Sequence, residues 1–66
     1  MEYTNSQIKN LIMEHIHSSR DRAILYERLV NGITFEALAD KFQMSDRQIK
    51  TIVYKCEKIL FRHLPP

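Results

Sequence analysis

Apolar residues recur at three- and four-residue spacing along most of the chain, which is the pattern of amphipathic helices. The strongest repeat runs from Phe35 to Leu60 and is interrupted once, near Gln43. It predicts a helix over 35–42 and a longer one over 46–63, joined by a tight turn. Ser45 predicts a capping box at the start of the helix over 46–63. In this box the Ser45 hydroxyl accepts from Gln48 N–H, and the Gln48 side chain accepts from Ser45 N–H.

Two earlier helices are predicted at about 5–17 and 20–31. Thr4 and Ser18 are their candidate caps, and Gly32 is expected to end the second in the left-handed conformation. The helix over 20–31 is expected to be flanked on several sides because of its apolar residues Ala23, Ile24, Leu25, Tyr26, Leu29 and Val30. The chain is therefore predicted to be one all-α domain over 1–66, with four helices, a helix-turn-helix and no wing.

The last helix divides into two faces when its residues are placed at about 100° each. Its apolar side is expected to meet the third helix, around Leu38 and small Ala39, and comprises Ile49, Ile52, Val53, Cys56, Ile59 and Leu60. The opposite side is expected to be exposed and comprises Arg47, Lys50, Thr51, Tyr54, Lys55 and Lys58.

Positive charge is concentrated on this last helix. Residues 41–66 carry six basic and two acidic side chains, a net charge of +4, whereas residues 1–40 carry four basic and six acidic ones. A basic stripe along one helix is the electrostatic footprint of nucleic-acid binding. The alternative explanation is that these basic side chains only form the solvent-exposed surface of the helix and bind nothing.

Several classes of protein are not expected. No apolar run approaches the roughly 18 residues of a membrane span. The one cysteine, Cys56, cannot form an internal disulfide and lies in the apolar stripe, which favours a buried role and a cytoplasmic location. With no glycine-rich phosphate loop and no motif pairing a nucleophile with a base, we predict no enzyme. The spacings of Cys56 and the three histidines match no zinc-ligand pattern, so no cofactor is predicted.

From Arg20 onward, the sequence RDRAILYERLVNGITFEALADKFQMSDRQIKTIVYKCEKIL resembles the promoter-reading C-terminal domain of sigma-70-type factors. The resemblance covers about two thirds of the chain and implies that the helix after Ser45 lies in the major groove of the promoter −35 element. The DNA-binding residues that it and the basic face imply are Ser45, Asp46, Arg47, Gln48, Lys50, Thr51, Tyr54, Lys55 and Lys58.

Two features depart from that family. Gln43 occupies a turn position where many helix-turn-helix proteins have glycine, and 66 residues leave no room for the other sigma domains. The sequence therefore predicts a stand-alone, sequence-specific transcription regulator that binds double-stranded DNA. The alternative is a protein-interaction module that binds RNA polymerase or a sigma factor without contacting DNA bases.

Individual roles follow from side-chain chemistry. Arg47 is the candidate for bidentate pairing with guanine, and Thr51 for contact with a thymine methyl group. Asp46 is expected to stabilise the positive end of its helix. Phe61 and Leu64 fall outside the core stripe and predict a homodimer, although they could instead fold back onto the first helix near Tyr3.

Overall fold

The computed structural model describes residues 3–63 of the chain. Within this range it has four α-helices, α1 (Asn5–His15), α2 (Ser19–Leu29), α3 (Phe35–Phe42) and α4 (Asp46–His63), and no strand. The predicted all-α class is confirmed. Helices α2 and α4 each pack against all the other helices, and α4 is the longest of the four. Leu64, one of the two residues on which the predicted homodimer rests, lies outside the described residues.

The core consists of the apolar faces of all four helices and contains no buried polar side chain among residues 3–63. The helical period is clearest in α4, whose buried members are three or four residues apart. The buried set is Ile12, Ile16, Ile24, Leu25, Leu38, Ala39, Ile49, Val53, Cys56 and Leu60.

The first three helices begin at side-chain caps, of which Thr4 and Ser18 were predicted. Thr4 Oγ1 accepts from Gln7 N at 3.1 Å while Gln7 Oε1 accepts from Thr4 N at 2.8 Å, which completes a capping box. Ser18 Oγ accepts from Asp21 N at 3.4 Å. Thr34 Oγ1 accepts from the first turn of α3 at 3.1 Å. Each hydroxyl satisfies one N–H that has no partner inside its helix.

Helix α1 ends at His15, two residues before the predicted end. Ile16 is extended (φ −108°, ψ 118°) and places its side chain in the core. Arg22 of α2 donates to the Ile16 carbonyl oxygen and, at 2.8 Å, to that of Met13. These carbonyls therefore find their partner on another helix, which no local sequence pattern could indicate.

Helix α2 ends at Leu29, also two residues earlier than predicted. Gly32 does adopt the predicted left-handed conformation, with φ +68°. Beyond Leu29 the chain turns, and Ile33 N donates back to Glu27 O at 3.1 Å. Arg28 Nη1 donates to Ile33 O at 3.0 Å and fixes the connection to α3.

The prediction that α2 is flanked on several sides is confirmed, because α2 packs against all three other helices. Ile24 and Leu25 are fully buried, but Ala23 is exposed and Tyr26 is 36% exposed. Ala23 and Tyr26 thus lie on the part of α2 that the other three helices leave uncovered.

The predicted phase of α4 is nearly right. Ile49, Val53, Cys56 and Leu60 are buried, whereas Ile52 and Ile59 are only half-buried. The latter two lie together at one edge of the apolar stripe, where neighbouring helices no longer cover them. The expectation of a fully buried Ile52 is therefore wrong.

The turn between α3 and α4 depends on a left-handed glutamine. Gln43 has φ 54° and ψ 49°, and Met44 N donates to Ala39 O at 2.9 Å. Non-glycine residues adopt this conformation at a cost of about 1–2 kcal/mol. Gln43 is exposed and its side chain forms no hydrogen bond within residues 3–63, so the strain is not offset there.

We therefore expect Gln43→Gly to raise the free energy of unfolding by about 0.5–1 kcal/mol, since glycine relieves the strain but loses more backbone entropy. Gly32→Ala is a control for which the opposite change in stability is expected. Its added methyl group meets no atom within 4 Å, so backbone strain alone should lower stability by about 1 kcal/mol. Urea denaturation followed by circular dichroism measures both, and equal signs for the two variants would contradict the explanation.

Candidate nucleic-acid interface

Helix α4 begins with the predicted capping box. Ser45 Oγ accepts from Gln48 N at 3.1 Å, and Gln48 Oε1 accepts from Ser45 N at 3.0 Å. Asp46 follows in the first turn, where a carboxylate stabilises the positive end of the helix dipole. The reciprocal bonds fix the direction in which α4 leaves the turn, and with it the direction of every side chain on its outer face.

The outer face of α4 is the one that the periodicity predicted. Its six residues are all exposed: Arg47, Lys50, Thr51, Tyr54, Lys55 and Lys58. Asp46, Ser45 and Gln48 are exposed beside them. The ion pairs of the described region join other residues, so no carboxylate neutralises a basic side chain of α4. The face therefore presents unpaired positive charge.

Three of the predicted site residues already have hydrogen-bond partners. Ser45 and Gln48 bond to each other's groups in the cap, which occupies Gln48 Oε1. Thr51 Oγ1 donates to Arg47 O at 2.9 Å, one turn earlier. This bond fixes the Thr51 side chain and occupies its hydroxyl hydrogen. The methyl group is then the apolar part of the side chain that can contact a partner. The Arg47 guanidinium has no partner in the described part of the chain.

One flank of the outer face is organised around Phe35, the first residue of α3. Tyr54 meets its ring edge-on with 5.9 Å between centroids, and Lys50 Nζ lies 5.8 Å from the ring centroid. The Arg28 guanidinium lies over the same ring at 4.3 Å. Cations are attracted to the face of an aromatic ring at such distances. Residues from three helices thus surround the half-buried Phe35 ring. From the sequence, Phe35 was recognised only as an apolar residue of its own helix.

The other flank is a shallow depression of about 320 Å³ between the start of α2 and the start of α4. Arg20 lines it opposite Arg47 and Gln48, over an apolar floor that includes Met44 and Ile52. The Arg20 Nε lies 3.3 Å from Asp21 Oδ1, so its charge is already paired.

Sequence reasoning missed Arg62 at the far end of the face. Arg62 lines one groove of the α4 surface together with Tyr54, Lys55 and Lys58. It follows Lys58 by four residues and Lys55 by seven, a spacing that keeps residues on one side of a helix. That signal was present in the sequence. The parts played by Arg20, Arg28 and Phe35 had no such signal, because they come from other helices.

Cys56 is buried beneath this face, as predicted. Burial raises the pKa of its thiol, and the Asp21 carboxylate raises it further against a smaller opposing effect of Lys55. The thiol therefore remains protonated at neutral pH, which is the state of a small core hydrophobe and not of a nucleophile.

The histidines form a structural contact. His15 and His63, the last residues of α1 and α4, stack with ring centroids 3.7 Å apart and planes within 4° of parallel. Among residues 3–63, no three histidine, cysteine or acidic side chains form a group that could hold a metal ion. No helix in the same range is long and apolar enough to cross a membrane.

A groove of about 440 Å³ lies on a different face, made by α1, α2 and α3. Its apolar surface includes Ala23 and the exposed Met13 and Tyr26. At its rim Lys41 pairs with Glu27, and this lysine, followed by the Asn31 amide, lowers the pKa of the Glu27 carboxyl. No residue of α4 lines this groove, so it is separate from the basic face.

Comparison of the chain with protein families, with curated proteins and with solved structures finds no match. The similarity to sigma-type domains therefore stands on the residues quoted above.

Proposed function

We propose that this protein is a cytoplasmic, sequence-specific DNA-binding regulator of transcription that inserts the outer face of α4 into the major groove. The observation that carries the proposal is the row of exposed, unpaired basic side chains on a helix whose start is fixed by a capping box. Neutralisation of phosphates by such side chains releases counterions, which is the main source of nonspecific affinity.

The dimensions of α4 fit this mode of binding. The major groove is about 12 Å wide and admits one α-helix. Helix α4 has 18 residues and so extends over about 27 Å, more than a groove requires. Its first turns would carry the base contacts, and its later basic residues, Lys55 and Lys58, would lie toward the phosphates at the groove edge.

The side chains suggest a division of roles. Arg47, with a free guanidinium near the helix start, suits a bidentate contact with guanine. The Thr51 methyl suits contact with thymine, because the hydroxyl is held by the helix backbone. Lys50, Lys55, Lys58 and the hydroxyl of Tyr54 suit phosphates. Ser45, Asp46 and Gln48 act mainly by building the start of the helix.

A titration tests the proposal directly. Fluorescence anisotropy would follow binding to a random-sequence 20-bp duplex and to a duplex with a promoter-like −35 element, at about 50 and 200 mM salt. We expect binding to both that weakens steeply with salt, and tighter binding to one sequence class. Absence of binding to either duplex at the lower salt concentration would refute the proposal.

A second candidate function is favoured by the apolar groove of α1, α2 and α3. Exposed Met13 and Tyr26 are the kinds of side chain that protein interfaces use. A module that binds RNA polymerase or a sigma factor through this groove would not need the α4 charges. Met13→Glu would abolish such binding and leave DNA affinity unchanged, so the two functions are separable.

A homodimer remains a further prediction, based on Phe61. This residue is 60% exposed, yet it lines a small apolar cavity together with Tyr3, Ile8 and Leu11, as expected if it packs toward α1. Sedimentation equilibrium at tens of micromolar protein distinguishes the two cases. A dimer that becomes a monomer on Phe61→Ser supports the homodimer, whereas a wild-type monomer that binds each DNA site singly rules it out.

A further inference from the structure

We infer that Arg28 of α2 is a DNA contact, and that with Lys50 it binds the phosphate backbone at the edge of the groove occupied by α4. The inference rests on the proposed function and adds a helix to the interface. Arg28 lies in the half of the chain with a negative net charge, and its sequence position gives no reason to group it with α4.

The Phe35 ring brings the two cations together. The Arg28 guanidinium lies 4.3 Å from the ring centroid, and Lys50 Nζ lies 5.8 Å from it. Both cations contact one ring, so a phosphate that approaches this ring is attracted by two positive charges. Tyr54, which meets the same ring edge-on, adds a phenol hydroxyl to this flank.

The Arg28 charge remains available for an anion. Its Nη1 donates to Ile33 O at 3.0 Å, and its guanidinium plane faces the ring, but neither partner carries a negative charge. No carboxylate pairs with it in the region that the structure describes. Arg20 differs in this respect, because Asp21 partly neutralises it. Arginine has five N–H donors, so the bond to Ile33 leaves others free.

The position of this cluster matches the path of a DNA strand. Lys50 and Tyr54 lie on the side of the outer face that is nearest α3, and Phe35 is the first residue of α3. When a helix fills the major groove, its flanks lie against the phosphates that border the groove.

Phe35 has a positioning role in this arrangement. Its ring is a shared contact of the Lys50 and Arg28 side chains and so restrains both of them before DNA binds. Ordering these long side chains in advance reduces the conformational entropy lost on binding.

The test compares charge-removing variants on the random-sequence 20-bp duplex. Arg28→Gln removes the charge and keeps a polar side chain with an amide donor. We expect it to lower the slope of log affinity against log salt by about 0.9, the contribution of one phosphate contact. Arg28→Lys, which keeps the charge, should retain most of the slope. Lys9→Gln is the matched control, because Lys9 is exposed on α1 and lines the groove away from α4.

A second measurement uses the unaltered protein and so does not depend on the variants folding. On titration with the duplex, the side-chain Nε–H resonance of Arg28 should shift, while that of Arg22, which is bonded to the end of α1, should not. If Lys50→Gln reduces the salt slope but Arg28→Gln behaves as Lys9→Gln does and the Arg28 resonance stays fixed, Arg28 serves only the α2–α3 connection. In that case the inference about Arg28 fails, while the proposed function is unaffected. If the wild-type protein binds no DNA, the proposed function fails with it.

Discussion

Ile49→Ala should lower the free energy of unfolding by about 2–5 kcal/mol, the range for large-to-small changes in a packed core. Ile49 is fully buried where α3 and α4 meet, beside the equally buried Leu38. In a domain of this size, each kcal/mol shifts the melting temperature by about 4–8 °C. We therefore expect a drop of about 10 °C or more in a thermal melt followed by circular dichroism.

Ile52→Ala is the matched control, since it deletes the same atoms one turn along the same helix. Ile52 is half-buried, so truncation removes less apolar contact and leaves an open edge in place of a closed cavity. Its effect should be clearly smaller than that of Ile49→Ala. Equal losses from the two variants would mean that the core of α4 is centred closer to Ile52 than the structure places it.

Replacing Lys50 and Lys55 together with alanine should weaken binding to every DNA sequence and lower the salt slope by about two. Both side chains are exposed and free of carboxylate partners in the described region, so their removal should leave the fold intact. Anisotropy titrations across a salt series measure the slope, and Lys9→Ala serves as the control that removes a charge elsewhere.

Arg47→Ala should act differently from the lysine variants. Loss of a bidentate base contact costs about 1–3 kcal/mol at the affected base pair and relaxes the preference there, while other positions keep theirs. Binding to a set of duplexes with single base-pair changes would reveal this pattern. If affinity is unchanged in both the double-lysine variant and this one, the outer face of α4 is not the DNA-binding surface.

The helices and their starting points follow from local chemistry, which is why the sequence predicts them. A hydroxyl three residues before its partner N–H forms a cap wherever the chain goes, as at Thr4 and Ser45. A period near 3.6 likewise divides α4 into a buried and a basic face without knowledge of its neighbours. The exposure of Lys50, Tyr54 and Lys58 was therefore predictable.

The end of α1 depended on another helix. Arg22 of α2 satisfies the last carbonyls of α1, so α1 is shorter than its periodicity indicated. Helix α2 is also shorter than predicted, and its own Arg28 fixes the chain that follows it. Partial burial of Ile52 has the same origin, because only the packed neighbours determine how wide the covered stripe of α4 is.

The sequence by itself determined four amphipathic helices, their caps and a helix with one unpaired basic face, because these depend on residues a turn apart. Only the tertiary structure placed Arg28 and Lys50 on the Phe35 ring, and Met13 and Tyr26 in a separate groove. Those neighbours come from different helices, and the angles at which helices pack depend on side chains distant in sequence. Hence the fold and the basic face were predictable, whereas the flanks of the candidate interface required the packed molecule.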